Sequence, residues 1–304
     1  MRKKIEEQEM YESLAEVYDD FMNDVPYEKW CGFIVNRLKK YGIEDGLVCD
    51  LGCGSGILTT MLSDMGYDMT GIDLSAAMLG KAMERRGSRD ILYLSQDVRN
   101  FELYGTMRAI ISTCDTLNYV TEKKDLEKVF FLAANYLDPG GLFIFDLHTP
   151  RYYRGLGDGS YGDVTEDAAY IWDNKYSSRT GINTYELTLF IREPSGFDTG
   201  DGKHAGGQCK GLHDRGTESG TECGTECCKE SGRESVTESG ADRDGERYIR
   251  RFETHRERAY NMGYIKSRLN KSGLELLEIV DDYSNKKAGP RSERVVYITR
   301  KRTD

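Results

Sequence analysis

The chain has 304 residues, enough for one large domain or two small ones around a sizeable core. Its formal net charge of −10 argues against a general nucleic-acid binder, which needs clustered Lys and Arg to meet phosphates. No apolar run approaches the roughly 20 residues of a membrane span, and the charged first ten residues lack a signal-peptide core, so the expected location is cytoplasmic.

Residues 10–22 carry Leu14, Val17, Tyr18 and Phe21 at helical spacing. Pro26 suits the first turn of a second helix that continues through Trp30, Phe33, Ile34 and Leu38 to Gly42. From Leu47 short apolar runs (47–51, 69–72, 91–94, 109–112 and 142–147) alternate with helical segments (57–65, 76–85 and 126–137). That alternation predicts an α/β fold, a Rossmann-like doubly wound sheet of seven strands covered by helices on both faces. Asp138-Pro139-Gly140-Gly141 marks a turn into the fifth strand.

Past Pro150, residues 168–176, 184–191 and 248–260 are rich in aromatic and β-branched side chains, and they read as an antiparallel β addition after the fifth strand. A helix at 262–272 and strands at 274–280 and 294–299 close the core. Between the antiparallel strands an acidic residue recurs at every fourth position from Glu218 to Asp242, separated by Gly and other small residues. Glycines and like charges one turn apart disfavour a helix, and no apolar stripe compensates. The segment 194–245 is therefore expected to be a disordered low-complexity insertion. The expected organisation is a helical cap at 1–44, a binding core at 45–150, the antiparallel addition at 151–193 and 246–261, and closing elements at 262–304. Of the eight cysteines, Cys223, Cys227 and Cys228 sit on the insertion without metal-site spacing, so no metal is expected.

The chemistry concentrates at Val48-Cys49-Asp50-Leu51-Gly52-Cys53-Gly54-Ser55-Gly56, a strand, a glycine turn and a helix start. The spacing is G-x-G-x-G, and Ile57 stands where a dinucleotide fingerprint needs its third glycine. Asp50 would repel a pyrophosphate and suits an amino-acid ammonium, so the ligand reads as a cationic nucleoside. Asp73, ending the second strand about twenty residues on, is placed to accept ribose hydroxyls. Asp97 is placed for an adenine amino group with Val98 against the ring, and Cys114 and Asp115 end the fourth strand. All fall at strand C-termini, where open α/β sheets bind ligands.

The order D-L-G-C-G-S-G, G-I-D-L-S, Q-D-V and L-x-P-G-G-x-F-I-F-D resembles class I S-adenosylmethionine-dependent methyltransferases over about residues 45–148. The stretch 11–20, C-D-T-L-N-Y at 114–119 and H-R-E-R-A-Y at 255–260 are similar to the bacterial YqeM-type enzymes, and more loosely to deoxysugar N-methyltransferases. The resemblance implies S-adenosyl-L-methionine as cofactor, held by Tyr18, Asp50, Leu51, Gly52, Gly54, Gly56, Asp73, Leu74, Met78, Asp97, Val98, Cys114 and Asp115. It implies methyl transfer to a small-molecule N, O or C nucleophile, with an N-terminal helix pair lying across the cofactor. Asn118, Tyr119, His148 and His255 are the candidates to face that acceptor, with Tyr119 and His255 the catalytic candidates. Where the deoxysugar enzymes place a proposed histidine base, this chain has Tyr119. A non-catalytic nucleoside-binding or scaffold protein on the same fold, and an RNA or protein methyltransferase, are the alternatives. The antiparallel addition is the expected face for a homodimer.

Overall fold

Strand β1 (Gly46–Leu51) buries consecutive residues on both faces, the pattern of a parallel strand sandwiched between helix layers. A computed structural model describes residues 25–165, 167–192 and 247–303. The expected helix at 10–22 with Tyr18, and the insertion 194–245 with its repeat and its cysteines, lie outside them. The chain divides into two units, Met1–Ile191 with Arg250–Asp304, and Arg192–Ile249; the core and the site belong to the first.

After helix α1 (Tyr27–Lys40) and β1, the order is α2 (Ile57–Asp64), β2 (Tyr67–Asp73), α3 (Ala76–Arg86), β3 (Leu92–Ser95), β4 (Met107–Ser112), α4 (Lys123–Tyr136) and β5 (Leu137–His148). Then come α5 (Pro150–Leu156), β6 (Gly159–Val164), β7 (Ala168–Ser177), β8 (Ile182–Arg192), β9 (Tyr248–Arg258), α6 (Met262–Lys271), β10 (Leu274–Asp281) and β11 (Arg294–Lys301). Seven strands form one sheet in the order β10-β11-β5-β4-β1-β2-β3. Strands β1 to β5 are mutually parallel, and β11 runs antiparallel to both β5 and β10. This is the doubly wound α/β architecture expected. The antiparallel addition is a separate four-stranded sheet, β6-β7-β8-β9.

Two apolar layers cover the seven-stranded sheet. On one face α1 and α2 bring Trp30, Phe33, Ile34, Leu38 and Leu62 onto Val48, Met69, Ile111 and Ile144. On the other, α4 and α6 bring Val129, Phe130, Ile265 and Leu269 onto Cys49, Ile72, Phe143, Phe145 and Tyr297. Val48 and Cys49 thus face opposite layers, as the period of two requires. Helix α1, the second helix of the expected N-terminal pair, supplies part of one of these layers.

The Asp138–Gly141 turn lies inside β5. Leu137 pairs with Met107 and Leu142 with Ala109, so the pairing shifts register across the turn, where Gly140 takes φ +80°. Helix α5 and strand β6 had no reading in the sequence. Thr149 caps α5 by accepting from the amides of Arg151 and Tyr152, followed at once by Pro150.

A short 3-10 turn at Thr116–Asn118 follows β4, and there one side chain joins the two sheets. Asn118 is fully buried. Its Nδ2 donates to the carbonyls of His148 (3.1 Å) and Arg258 (2.8 Å), and its Oδ1 accepts from the His148 amide (2.9 Å). It therefore ties the ends of β5 and β9 to the turn after β4. Replacing Asn118 by Ala removes all three bonds and strands the Arg258 carbonyl. The expected loss is about 2–4 kcal/mol of folding stability, measured by denaturant unfolding.

Candidate active site

The glycine turn after β1 wraps against the C-terminal ends of its neighbours. Gly52 has φ +76°, and a Cβ there would sit 2.2 Å from Thr116 Cγ2, so only glycine lets the loop approach the β4 turn. The Gly52 and Cys53 amides donate to the Ile72 carbonyl at 2.7 and 3.0 Å, locking the loop to β2. Gly54 and Gly56 are also left-handed, at φ +53° and +75°. Met78 of α3 packs under the loop, its Cε 3.2 Å from where a Gly54 Cβ would stand.

Four acids stand at this C-terminal end of the sheet. Asp50 is 1% exposed, and its Oδ2 accepts from Thr59 Oγ1 at 2.6 Å. Its Oδ1 is buried with no hydrogen-bond partner. Burial, and the nearby Asp73 charge, push its carboxyl up to about 7 against the Thr59 hydrogen bond. Asp73 accepts from the Gly54 amide at 2.8 Å and the Ser75 amide at 2.9 Å, which turns the carboxylate toward the loop. Burial still raises its pKa. Asp97 is met by Arg99, whose Nε lies 2.9 Å from both carboxylate oxygens.

The fourth acid, Asp115, sits with Cys114 in two successive left-handed residues, φ 53° and 55°. Outside glycine that conformation is costly and gathers at functional sites. It is held by strand ends on either side. The Asp115 amide donates to Asp146 Oδ1 at 3.0 Å, and its carboxylate accepts from Arg294 Nη2 at 3.1 Å. Arg294 also donates through Nη1 to Asp146 and through Nη2 to His148 Nε2 at 2.8 Å, with its guanidinium 5.1 Å from the Trp30 ring.

Because Nε2 accepts, the His148 proton is on Nδ1, which points toward Asp115 at 3.8 Å. Burial drives His148 down to about 4, so it is neutral at pH 7. Tyr152 stacks on it at 3.6 Å. Burial opposes the charge of Asp115, and its surroundings outweigh this and lower its pKa. The charge of His148, which is protonated in the acid range where Asp115 titrates, comes first, then the charge of Arg294 and hydrogen bonds from Arg294 and Glu257. Glu257 of β9 is the converse: burial, then the Asp115 charge, push it well above the carboxylate range.

A second chain of polar groups rises from the small sheet. His255 is fully buried; its Nε2 faces Glu253 Oε2 at 3.1 Å and its Nδ1 faces Tyr119 Oη at 3.4 Å. Tyr119 Oη lies 2.5 Å from Tyr185 Oη, and the Tyr185 ring stacks on His255 at 4.6 Å.

The structure thus gathers Asp50, Gly52, Gly54, Gly56, Asp73, Met78, Cys114 and Asp115 around one edge of the sheet, with Tyr119 and His148 beside them. Three expected residues stand differently. The Leu51 side chain is fully buried in the layer beneath α4, leaving only its backbone at the loop. Val98 packs on that same layer. Asn118 has its whole amide engaged between strand ends, so it does not present it to an acceptor. Leu74 is half-buried where α3 begins. Arg294, Asp146, Glu253, Glu257 and Tyr185 were not picked out in the sequence as site residues. Arg294 and Asp146 lie in strands that read as core, and only the pairing of β11 with β5 brings them to this edge.

Residues 48–141 match the model of the methyltransferase domain family. Over 198 residues the chain is 32% identical to the Bacillus subtilis (strain 168) protein named as the methyltransferase YqeM, covering 64% of this chain and 78% of that one. The chain belongs to the class I S-adenosylmethionine-dependent methyltransferases. An S-adenosylmethionine-dependent methyltransferase of Clostridium acetobutylicum ATCC 824 is similar over 96% of this chain and 99% of its own, with 25% identity and a TM-score of 0.72. The fold is also that of SAM-bound CalS10, an amino pentose methyltransferase from Micromonospora echinaspora, at TM-score 0.61 and 14% identity over 92% and 93% of the two chains.

S-adenosyl-L-methionine is the methyltransferase's cofactor, and the site has the chemistry to receive it. The cofactor offers donors, an ammonium, two ribose hydroxyls and an adenine amine, and this edge offers carboxylate acceptors. Asp50 Oδ1 is a buried acceptor lacking a donor, a group that costs free energy until one arrives. With its carboxyl near 7, Asp50 must lose a proton to meet an ammonium in the acid range. Cofactor affinity should therefore weaken as pH falls through about 7, by up to about tenfold per unit. It should weaken again above about 8 as the α-amino group deprotonates. Calorimetry from pH 5.5 to 9 tests this; a flat profile below pH 7 would mean that Asp50 does not change protonation on binding.

Proposed function

We propose that this methyltransferase moves the methyl group to a small-molecule acceptor held between the strand ends of the large sheet and the inner face of the small one. The supporting observation is the left-handed Cys114–Asp115 turn. Thr116 beside it packs on Gly52 of the cofactor loop, and Asp115 itself meets His148 and Glu257. One short turn thus adjoins both the methyl donor's loop and the polar groups of the small sheet.

Bound S-adenosylmethionine supplies a methyl group on a sulfonium already activated for displacement. The protein's part is alignment and exclusion of water. In this reading Asp50 holds the ammonium, Asp73 the ribose hydroxyls and Asp97 the adenine amine, the last by sharing its carboxylate with Arg99. Gly52, Gly54 and Gly56 bring the backbone close, and Leu74, Met78 and Cys114 line the site. Tyr18 and the segment 1–44 would complete the cover. Tyr119 orients the acceptor through its hydroxyl, and His255 acts from behind it, since a fully buried imidazole fixes Tyr119 and touches no acceptor. His148 and Tyr152 wall the acceptor site.

The chain's negative charge supports a small molecule over RNA. Among the described residues no helix is long and apolar enough to cross a membrane, and Cys31, Cys49, Cys53 and Cys114 are free thiols, which supports a cytoplasmic enzyme. Strand β6 is exposed along its length at the edge of the small sheet, and Ile171 and Phe252 are exposed on that sheet, which supports a homodimer through the addition.

Incubation with methyl-labelled cofactor and a metabolite extract, read by mass spectrometry, tests the reading; label found only in protein or RNA would overturn it. Asp73→Ala should weaken S-adenosylhomocysteine binding by about 2–4 kcal/mol, the loss of two charge-assisted bonds partly replaced by water. An unchanged dissociation constant would show that Asp73 serves only the loop amides.

A further inference from the structure

Resting on that reading, we propose that Glu257, paired with Asp115, receives the acceptor as a protonated amine and takes its proton during methyl transfer.

The argument begins with what surrounds the pair. Tyr152 and Tyr153 of α5, Asp146 and His148 of β5 and Arg294 of β11 are the other ionisable groups that face it. The one cation, Arg294, is already divided between Asp146, Asp115 and His148. His148 uses its ring nitrogens toward Arg294 and Asp115. Among the described residues Glu257 is reached by neutral donors, the Asn183 amide and the Tyr153 hydroxyl, while the one cation nearby is already shared, so its carboxylate lacks a counter-ion of its own. Glu257 itself is 5% exposed, and a buried carboxylate left alone is costly.

An independent observation points the same way. Asn183 of β8 is fully buried and within hydrogen-bond reach of Glu257. Its Nδ2 donates to Asn174 Oδ1 at 2.9 Å, which fixes the amide's orientation. That leaves Asn183 Oδ1 as a buried acceptor with no partner. A carboxylate pair beside an orphaned amide oxygen lacks a donor with several N–H groups. An ammonium supplies three. A hydroxyl supplies one and a carboxylate none, so neither satisfies the set.

The step balances in protons and electrons. In the resting site one proton is shared between Glu257 and Asp115, as burial and like charge demand. When a cationic amine docks, that proton leaves to water, because the incoming charge stabilises two carboxylates. Glu257 then accepts one N–H proton. The freed lone pair forms the N–C bond to the methyl as the S–C bond breaks, with its electron pair kept by sulfur. The product leaves as an N-methylated ammonium, and Glu257 is again protonated.

The test uses the full-length enzyme, methyl-labelled cofactor and one metabolite extract in two portions. One portion is untreated; in the other, amines are blocked with acetic anhydride and O-acetyl groups are then removed with hydroxylamine. Transfer to the untreated portion that falls at least tenfold in the blocked one supports the proposal. Equal transfer to both overturns the amine while leaving a small-molecule acceptor standing. No transfer to either overturns the small-molecule reading and the amine with it. On the labelled acceptor so found, Glu257→Gln should lower kcat at least 100-fold, with S-adenosylhomocysteine affinity within twofold of the parent. The conservative Glu257→Asp should recover part of the rate and shift its pH profile. A Glu257→Gln enzyme that binds cofactor and turns over at the parent rate would overturn the role of Glu257.

Discussion

Carboxylates at the C-terminal ends of parallel strands are the constraint on which this molecule is built. Asp50 and Asp73 lie at the ends of β1 and β2, Asp97 and Asp115 just past β3 and β4, and every one has been drawn out of free water. Left to themselves they would repel one another and favour their neutral forms. Each is therefore given a partial remedy: a threonine hydroxyl, two loop amides, an arginine fork, a strand-end guanidinium. The remedies differ in completeness. Asp97 has a full counter-ion in Arg99, whereas Asp50 keeps a bare oxygen. The incomplete remedies are where a cationic ligand gains most on binding.

The fold was largely legible because it rests on patterns local in sequence. Alternation of apolar runs and helical segments between residues 47 and 147 marked β1 to β5 and their helices, and the glycine spacing at 52, 54 and 56 marked the turn. What escaped notice was either short or created by distant pairing. Helix α5 has seven residues, too few to show a period, and β6 is exposed throughout with two glycines in six positions. The turn at Asp138–Gly141 gave the start of β5 correctly as a bend, but not that Leu137 ahead of it already pairs with β4.

The site divides in the same way. The acids of the first four strands could be found by their place after apolar runs. Arg294 could not, because as the first residue of β11 it read as the edge of a core strand. Its place at the site follows from β11 being antiparallel, which brings the start of that strand to the edge where the others end. Glu253 and Glu257 alternate with arginines on β9, and in sequence that looks like a solvated face. Only the packing of that strand's other face shows which members of the alternation are inside: Glu253, His255 and Glu257, with the arginines left outward or bonded to carbonyls such as Thr121 and Thr180.

The antiparallel course of β11 also has a consequence for the order in which this protein is made. On the ribosome, Asp146 and His148 emerge 148 and 146 positions ahead of Arg294, and Asp115 emerges 179 ahead. Domains begin to fold as the chain is synthesised, N-terminal parts first. Strands β1 to β5 can therefore collapse while Asp115 and Asp146 still have no cation between them. The nascent sheet then lacks the cation of its Asp115–Asp146 corner until β11 arrives, so the acceptor side of the site sets after the cofactor loop.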